Sequence, residues 1–108
     1  MATIDEFHSI EMKIGTIKTA EYIEGADKLL KLTVDLGEPE LRQILSGIRQ
    51  YYEPEDLIGR QCPFVTNLSP RTLRGFVSNG MILAGGPGSS GIVLLHPDKE
   101  VPPGTILG

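Results

Sequence analysis

The side chains best suited to binding chemistry are concentrated between Asn67 and Met81. This segment contains the arginines Arg71 and Arg74, the asparagines Asn67 and Asn79, and Ser78 close to Met81. Arginine forks bind phosphates and stack on bases, amides pair with base edges, and an exposed methionine offers an adaptable surface to an unstacked base. Turn chemistry explains Pro70 and Gly75 without a ligand, but it does not require two arginines. The segment therefore has two interpretations, a plain turn and a nucleic-acid-binding surface.

The distribution of charge separates this segment from the rest of an acidic chain. The 108 residues carry a formal net charge of −4, which argues against a general nucleic-acid binder because such domains are usually basic. Residues 1–56 contain six basic and twelve acidic residues, whereas residues 57–97 contain three arginines and no acidic residue. A buried sheet core would also lack carboxylates. It would not explain Arg71 and Arg74, which flank turn residues and are expected to be exposed.

No set of residues in the sequence predicts catalysis. The single cysteine, Cys62, lies in an apolar run and is expected to be a small buried side chain. His8 and His96 are expected at the surface or in a cap, because a metal site would need several His or Cys residues at defined spacing. The glycine-rich residues 85–88 are not followed by the Gly-Lys-Ser/Thr of a phosphate loop. We therefore expect no enzyme activity, no metal and no cofactor.

Length and hydropathy indicate one domain and a cytoplasmic location. A chain of 108 residues has the size of one ordinary domain, here residues 1–108. Residues 1–7 do not have the pattern of a signal peptide, and no apolar run approaches the ~20 residues of a membrane span. We therefore expect a cytoplasmic protein that makes no contact with a membrane.

Alternation of apolar and polar residues predicts a three-stranded meander in the first half of the chain. Thr3 and Glu6 form the pattern of a capping box, which starts a short helix that ends near Ser9. Strands are predicted at residues 12–17, extending to residue 23, and at residues 30–36 and 41–46, with a hairpin turn at residues 37–40. Gly15 marks a bulge or a close crossing in the first strand.

Proline and glycine residues divide the second half of the chain. Pro54 at a first helical position and Gly59 after it predict one helical turn. Residues 61–68 are predicted as a strand that Pro63 places at a sheet edge or at a strand start. The following elements are predicted as a loop at residues 69–75, a fifth strand at 76–84, a turn at 85–91 and short terminal strands at 92–95 and after residue 104.

The order of these elements predicts an all-β protein with the OB-fold. Three meandering strands, a helical connection and two further strands form a five-stranded Greek-key barrel with short helices, to which extra terminal strands are added. An SH3-like barrel or a small sandwich would have a similar number of strands. The helix between the third and fourth strands favours the OB-fold.

Seven ordered motifs give the sequence a specific resemblance. They are KIG at residues 13–15, GADKL at 25–29, QILSGI at 43–48, YEPEDLIG at 52–59, NL at 67–68, RG at 74–75 and SNGM at 78–81. With these motifs the chain resembles the tRNA-binding-domain family, the C-terminal domain of bacterial methionyl-tRNA synthetases and its stand-alone relatives, from about residue 7 to 103. The resemblance implies an OB-fold that binds tRNA by shape, often as a homodimer, with a methionyl-tRNA synthetase as a further partner.

The resemblance also implies which residues contact tRNA. The surface includes Asn67, Arg74, Ser78, Asn79 and Met81, with Lys28, Arg42 and Ser46 nearby. Arg71 joins this set because it lies in the same segment. Family members often have lysines where this chain has Ser69 and Thr72, and fewer cations release fewer counterions, so we expect weak binding.

Two other functions remain open from the sequence. A branch that resembles a dimeric export chaperone, which binds unfolded polypeptide, shares the Ser-x-Gly-Met motif, so this motif does not separate the two functions. Such a chaperone needs a hydrophobic groove on its surface. A module that only tethers a synthetase would have no RNA affinity of its own.

The apolar residues near the two ends of the chain predict a homodimer. The runs at residues 92–95 and 106–107, together with Ile4, Phe7 and Ile10, would leave sticky edges in a monomer. Two copies related by a two-fold axis would bury both sets at once. The alternative is a monomer whose tail folds back over its own barrel.

Overall fold

Short strands dominate the structure, as the glycine and proline content predicts. The computed structural model describes residues 1–86 and 91–108. The elements of these residues are α1 (Ile4–His8), β1 (Met12–Tyr22), β2 (Leu30–Asp35), β3 (Arg42–Ser46), α2 (Pro54–Leu57), β4 (Gln61–Val65), β5 (Arg71–Leu73), β6 (Phe76–Ser78), β7 (Met81–Ile82), β8 (Ala84–Gly85) and β9 (Val93–Leu94). The capping box is present, since Thr3 and Glu6 bond each other's backbone N–H groups.

Five strands form an antiparallel sheet in the order β3-β2-β1-β4-β7. The long strand β1 pairs with β2 through its second half and with β4 through its first half, so that Thr16 faces both Asp35 and Gln61. A register shift between Ile17 and Thr19 bends β1. The backbone N–H of Asn79 donates to the carbonyl of Gln43 at 2.8 Å, which draws the far end of the sheet onto β3. The result is a nearly closed five-stranded barrel, and the predicted all-β, OB-like fold is confirmed.

The core consists of the apolar residues that alternate along the strands. The largest fully buried side chains are Phe64, Ile17, Leu30, Leu32, Leu36, Ile44, Leu57, Val34 and Cys62. Gly15 faces this core at a close crossing, because a Cβ atom there would lie 2.5 Å from Val34 and 2.8 Å from Leu36. The close crossing predicted for Gly15 is confirmed, and the bulge lies a few residues further along β1.

The prediction of a loop at residues 69–75 was wrong. Arg71–Leu73 and Phe76–Ser78 pair as a hairpin, with Arg74 and Gly75 at its turn. Both turn residues have positive φ, 53° and 83°, the geometry of a tight turn that follows the twist of the two strands. Strands of three residues are too short for alternation to reveal them, and Arg74 is an unusual residue at such a position.

The prediction of a single strand over residues 76–84 was also wrong. Gly80 has φ of 141° and interrupts the segment, so that Phe76–Ser78 belongs to the hairpin and Met81–Ile82 joins the barrel beside β4. The following Ala84–Gly85 pairs with Val93–Leu94. Of the predicted turn at residues 85–91, residues 87–90 lie outside the described residues.

The sequence predicted that Pro63 lies at a sheet edge or at a strand start, and this prediction was wrong. It occupies the middle of β4, which pairs with β1 on one side and β7 on the other. Its partner on β1, Ile14, bonds the C-terminal segment through both backbone groups, while the Pro63 carbonyl accepts from Leu83 N–H at 3.1 Å. The missing N–H of the proline therefore faces the β7 side, where pairing begins only at Phe64.

The C-terminal tail lies along the first residues of β1. Ile14 N–H donates to Thr105 O at 2.8 Å, Gly104 N–H donates to Ile14 O at 2.7 Å, and Leu107 N–H donates to Met12 O at 2.9 Å. The predicted terminal strands thus appear as the short β9 and as one bridge between Lys13 and Ile106. The tail folds back over its own barrel, which is the arrangement expected of the monomer alternative.

Candidate nucleic-acid interface

The β5–β6 hairpin is fixed to the barrel by a small apolar cluster of its own. Ile23, Ala26 and Leu45 are buried in this cluster, and Leu73 and Phe76 of the hairpin pack against it. The Lys31 ammonium lies 4.6 Å from the centroid of the Phe76 ring. Since an apolar residue stands on each side of the turn, the turn residues Arg74 and Gly75 are held in one place although they are exposed.

The hairpin brings several of the predicted tRNA-binding residues together. Arg74 and Lys28 line one groove of about 400 Å³. Arg71, Ser78 and Met81 line a narrow cleft of about 70 Å³. Arg42 and Asn79 line a third, open groove of about 670 Å³, and Val77 of the hairpin lies in its wall. Seven of the nine predicted residues therefore line grooves that the hairpin also lines.

Arg71 and Arg74 are the cations best placed for an anionic ligand. Both are exposed. In residues 1–86 and 91–108, the ion pairs and side-chain hydrogen bonds involve neither of their guanidinium groups. Each therefore has its full set of donors available for phosphate oxygens.

Apolar side chains are exposed close to these two arginines. Met81 is 44% exposed, Val77 49% and Leu68 40%. Met81 and Leu68 line the same cleft as Arg71. Met81 is thus at the surface, as its predicted role requires. Sequence reasoning missed Val77, because an isolated apolar residue in a short strand resembles core, and Leu68, because the sequence predicted a strand up to residue 68 where β4 ends at Val65.

Three of the predicted residues use their side chains inside the protein. The Asn67 amide oxygen accepts from Glu11 N–H and its NH₂ donates to Ser9 O, each at 2.8 Å, so it fastens the segment after α1. Ser78 is buried, and its hydroxyl accepts from Leu45 N–H at 3.0 Å and donates to Gly80 O at 3.2 Å. Ser46 is buried in β3. Asn67, Ser78 and Ser46 therefore support the shape of the surface around the hairpin.

Arg42 is also engaged within the protein. Its guanidinium forms a two-pronged pair with Glu38, with distances of 2.8 and 2.7 Å, and donates to Thr66 O at 2.6 Å. The hydrogen bond between the two side chains raises the pKa of Arg42 and lowers the pKa of Glu38. Sequence reasoning did not predict this pair, because Glu38 and Arg42 lie on opposite sides of a turn and not on one helix face.

The one cysteine and its neighbour do not form a nucleophile and base. Cys62 Sγ lies 3.7 Å from His96 Nδ1, a proximity that the sequence did not predict. The same nitrogen lies 2.8 Å from the Gln61 carbonyl, so it carries the proton and donates to that oxygen. Burial raises the pKa of the Cys62 thiol to about 11. Among the described residues no group of three or more His, Cys, Asp or Glu side chains is arranged to hold a metal.

Cys62 is expected to react very slowly with a thiol-specific reagent. With a pKa of about 11, about one thiol in a thousand is ionised at pH 8, against about a quarter for an ordinary thiol. The folded protein should therefore react at least about a hundredfold more slowly than the chain in concentrated urea. The folded-state rate should rise about tenfold per pH unit, since a raised pKa delays ionisation. Equal rates in the folded and unfolded chain at pH 8 would contradict the described burial.

The fold defines a class of protein, a small OB-like β-barrel that carries an exposed hairpin. The family model described as "Putative tRNA binding domain" matches residues 12–106. The chain belongs to this family. Within the described residues, none of the helices has the length and apolar character needed to cross a membrane.

Individual relatives match nearly the whole chain. A methionine–tRNA ligase of Methanococcoides burtonii is 50% identical over 107 residues, which are 99% of this chain and 16% of the ligase. The crystal structure of a MetRS related protein from Pyrococcus horikoshii matches with a TM-score of 0.93 and 37% identity, over 100% of this chain and 98% of that one. The chaperone CsaA of Bacillus anthracis matches with a TM-score of 0.90 and 36% identity, over 100% and 99%.

Proposed function

We propose that this domain binds tRNA on the surface around the β5–β6 hairpin and catalyses no reaction. The observation that supports this most strongly is the pair Arg71 and Arg74, which are exposed on an anchored hairpin and whose guanidinium groups have no internal partner among the described residues. Membership of the tRNA-binding family supports the choice of ligand. Phosphate contacts would fix the position of the RNA, while the fixed geometry of the hairpin would select its shape.

The predicted residues take different parts in this proposal. Lys28, Arg71 and Arg74 contact phosphates, because their charged groups are exposed. Asn79 and Met81 contact bases or sugars, since both are exposed beside the arginines and neither carries charge. The buried Ser46 and Ser78 and the internally bonded Asn67 maintain the shape of this surface.

Competition between two ligands tests the proposal against the chaperone alternative. The exposed Leu68, Val77 and Met81 provide apolar surface that an unfolded polypeptide would also bind. A filter-binding assay with bulk tRNA, with and without an excess of reduced unfolded polypeptide, distinguishes tRNA binding from the chaperone function. We expect tRNA to be retained and the polypeptide to displace little of it. Retention of polypeptide without retention of tRNA would support the chaperone function.

A homodimer is part of the same proposal. The residues that we call the terminal apolar surface are all exposed, namely Ile4, Phe7, Ile10, Val93, Leu95 and Ile106. Although the tail folds back on β1, Ile106 remains 73% exposed and Val93 59% exposed. Two copies would offer two hairpins to one tRNA, which would compensate for weak single contacts. Association with a methionyl-tRNA synthetase and a cytoplasmic location are further proposals from the family.

Ile106→Glu is expected to convert the dimer into a monomer. A carboxylate on the terminal apolar surface would be buried without a partner in the dimer, whereas the exposed position tolerates it in the monomer. Light scattering at micromolar concentration should give a mass near 11.7 kDa for the variant and twice that value for the unchanged chain. Leu41→Glu, at a 51% exposed position outside this surface, is the matched control and should stay dimeric. A mass near 11.7 kDa for the unchanged protein would refute the dimer.

A further inference from the structure

The Arg42 guanidinium joins three segments that are distant in the sequence. Nε and Nη2 donate to the two carboxylate oxygens of Glu38, and Nη1 donates to Thr66 O at 2.6 Å and, at 3.4 Å, to Asn79 O. Glu38 precedes β3, Thr66 follows β4, and Asn79 lies between β6 and β7. One side chain therefore connects the segments at the place where the barrel closes between β3 and β7.

This closure has few backbone hydrogen bonds of its own. Asn79 N–H donates to Gln43 O, and the next bond along β3 uses a side chain, the Ser78 hydroxyl that accepts from Leu45 N–H. Gln43 adds a second side-chain bond, from its amide to Val77 O at 2.9 Å. Side-chain hydrogen bonds thus close the barrel here, where backbone hydrogen bonds join the other pairs of strands. Arg42 is the charged residue among those that form these bonds.

Thr66, one of the groups bonded to Arg42, is itself held firmly. Its N–H donates to Glu11 O at 2.9 Å, and its hydroxyl donates to the Glu11 carboxylate at 2.6 Å. Arg42 therefore connects Asn79 to a fixed point of the barrel. Asn79 is followed by Gly80 and then by Met81, which pairs with Val65 of β4, so this connection fixes the segment that leads into Met81.

A phosphate would compete poorly for the Arg42 side chain. Its donors already meet a carboxylate in two-pronged geometry and a carbonyl, and only 17% of the side chain is exposed. The Glu38 carboxylate beside it would repel a phosphate. Among the described residues, the Arg71 and Arg74 side chains form no ion pair with a carboxylate.

We propose that Arg42 is a positioning residue, which holds Asn79 and Met81 in place and supports tRNA binding without touching the RNA. The proposal rests on tRNA binding as the proposed function. It replaces the tRNA contact that the resemblance implies for Arg42, and it assigns Glu38 the role of orienting the guanidinium.

Salt dependence of tRNA binding separates positioning from direct contact, because each lost phosphate contact lowers the slope of log affinity against log salt by about 0.7–0.9. We expect Arg42→Met to weaken binding about tenfold, on the scale of a lost charged hydrogen bond, with an unchanged slope. The matched control Arg71→Met should lower the slope. Glu38→Gln, which leaves Arg42 and its acceptor Thr66 O in place, should also leave the slope unchanged. The proposal would be overturned if Arg42→Met made the salt dependence shallower or left the affinity unchanged. It would also be overturned if Glu38→Gln made the salt dependence steeper.

Amide exchange without RNA distinguishes failure of this inference from failure of the proposed function. In Arg42→Met, the Asn79 N–H that donates to Gln43 O should exchange about tenfold faster, while the amides between β1 and β2 keep their rates. Equal acceleration in both places, or none at Asn79, would overturn the positioning role. If the unchanged protein binds no tRNA, the proposed function is overturned. The exchange rates would still show whether Arg42 holds Asn79 in place.

Discussion

Phe64→Ala is expected to lower the free energy of unfolding by about 3–5 kcal/mol, the usual cost of removing a buried aromatic ring. Phe64 is fully buried in the middle of the core, and its ring lies 3.0 Å from the point where a Cβ of Gly15 would stand. The backbones of β1 and β4 are tied by their ladder and cannot collapse into the space left by the ring. A domain of this size has only about 5–15 kcal/mol of stability, so the variant should be close to unfolding.

Urea denaturation measures this loss, with Ile58→Ala as the matched control. Ile58 is apolar but 54% exposed, and its replacement should change the free energy of unfolding by less than about 0.5 kcal/mol. A loss below about 1 kcal/mol for Phe64→Ala would show that the ring is not the centre of the barrel core.

The second large effect concerns Arg74, whose replacement by Ala is expected to weaken tRNA binding by about 1–3 kcal/mol. The side chain is exposed and has no internal partner among the described residues, so the fold should survive. Arg60→Ala is the control, because the Arg60 guanidinium lies 5.8 Å from the Tyr52 ring centroid, away from the hairpin grooves. Equal losses for the two variants would mean that the binding surface is diffuse and not centred on the hairpin.

Arg74 also offers a test in which stability and binding change in opposite directions. Its φ of 53° is unfavourable for arginine but is accepted by asparagine, the usual partner of glycine in such turns. Arg74→Asn should therefore raise the free energy of unfolding by about 0.5–1 kcal/mol while it weakens tRNA binding. A gain in stability with unchanged binding would remove Arg74 from the proposed surface.

The meander and the helical turn were predictable because their signals are local. Alternation along residues 30–36 and the placement of Pro54 before a short apolar turn reflect the burial of the residues themselves. The β5–β6 hairpin was not predictable, since three-residue strands do not show a period and Arg74 is not a typical residue for its turn. In the sequence, Gly15 indicated either a bulge or a close crossing. Only its packing against Val34 and Leu36 showed that it is a close crossing.

The candidate surface shows the same division. Arg71, Arg74 and Met81 were expected at the surface from turn chemistry and motif, and the structure exposes all three. The internal roles of Arg42 and Asn67 depend on partners up to 58 residues away, such as the bond from Asn67 to Ser9 O. No local pattern carries such information. The sequence therefore indicated which segments carry the candidate binding residues but not which of their polar groups are already bonded within the protein.

The most direct test of the central claim is the affinity of the unchanged protein for bulk tRNA at several salt concentrations. Because Lys28, Arg71 and Arg74 are the exposed cations of the proposed surface, about three neutralised phosphates are expected, which corresponds to a slope of log affinity against log salt of roughly −2 to −3. Such a slope, with measurable binding at low salt, is the predicted result. The absence of detectable tRNA binding at low salt would contradict the account.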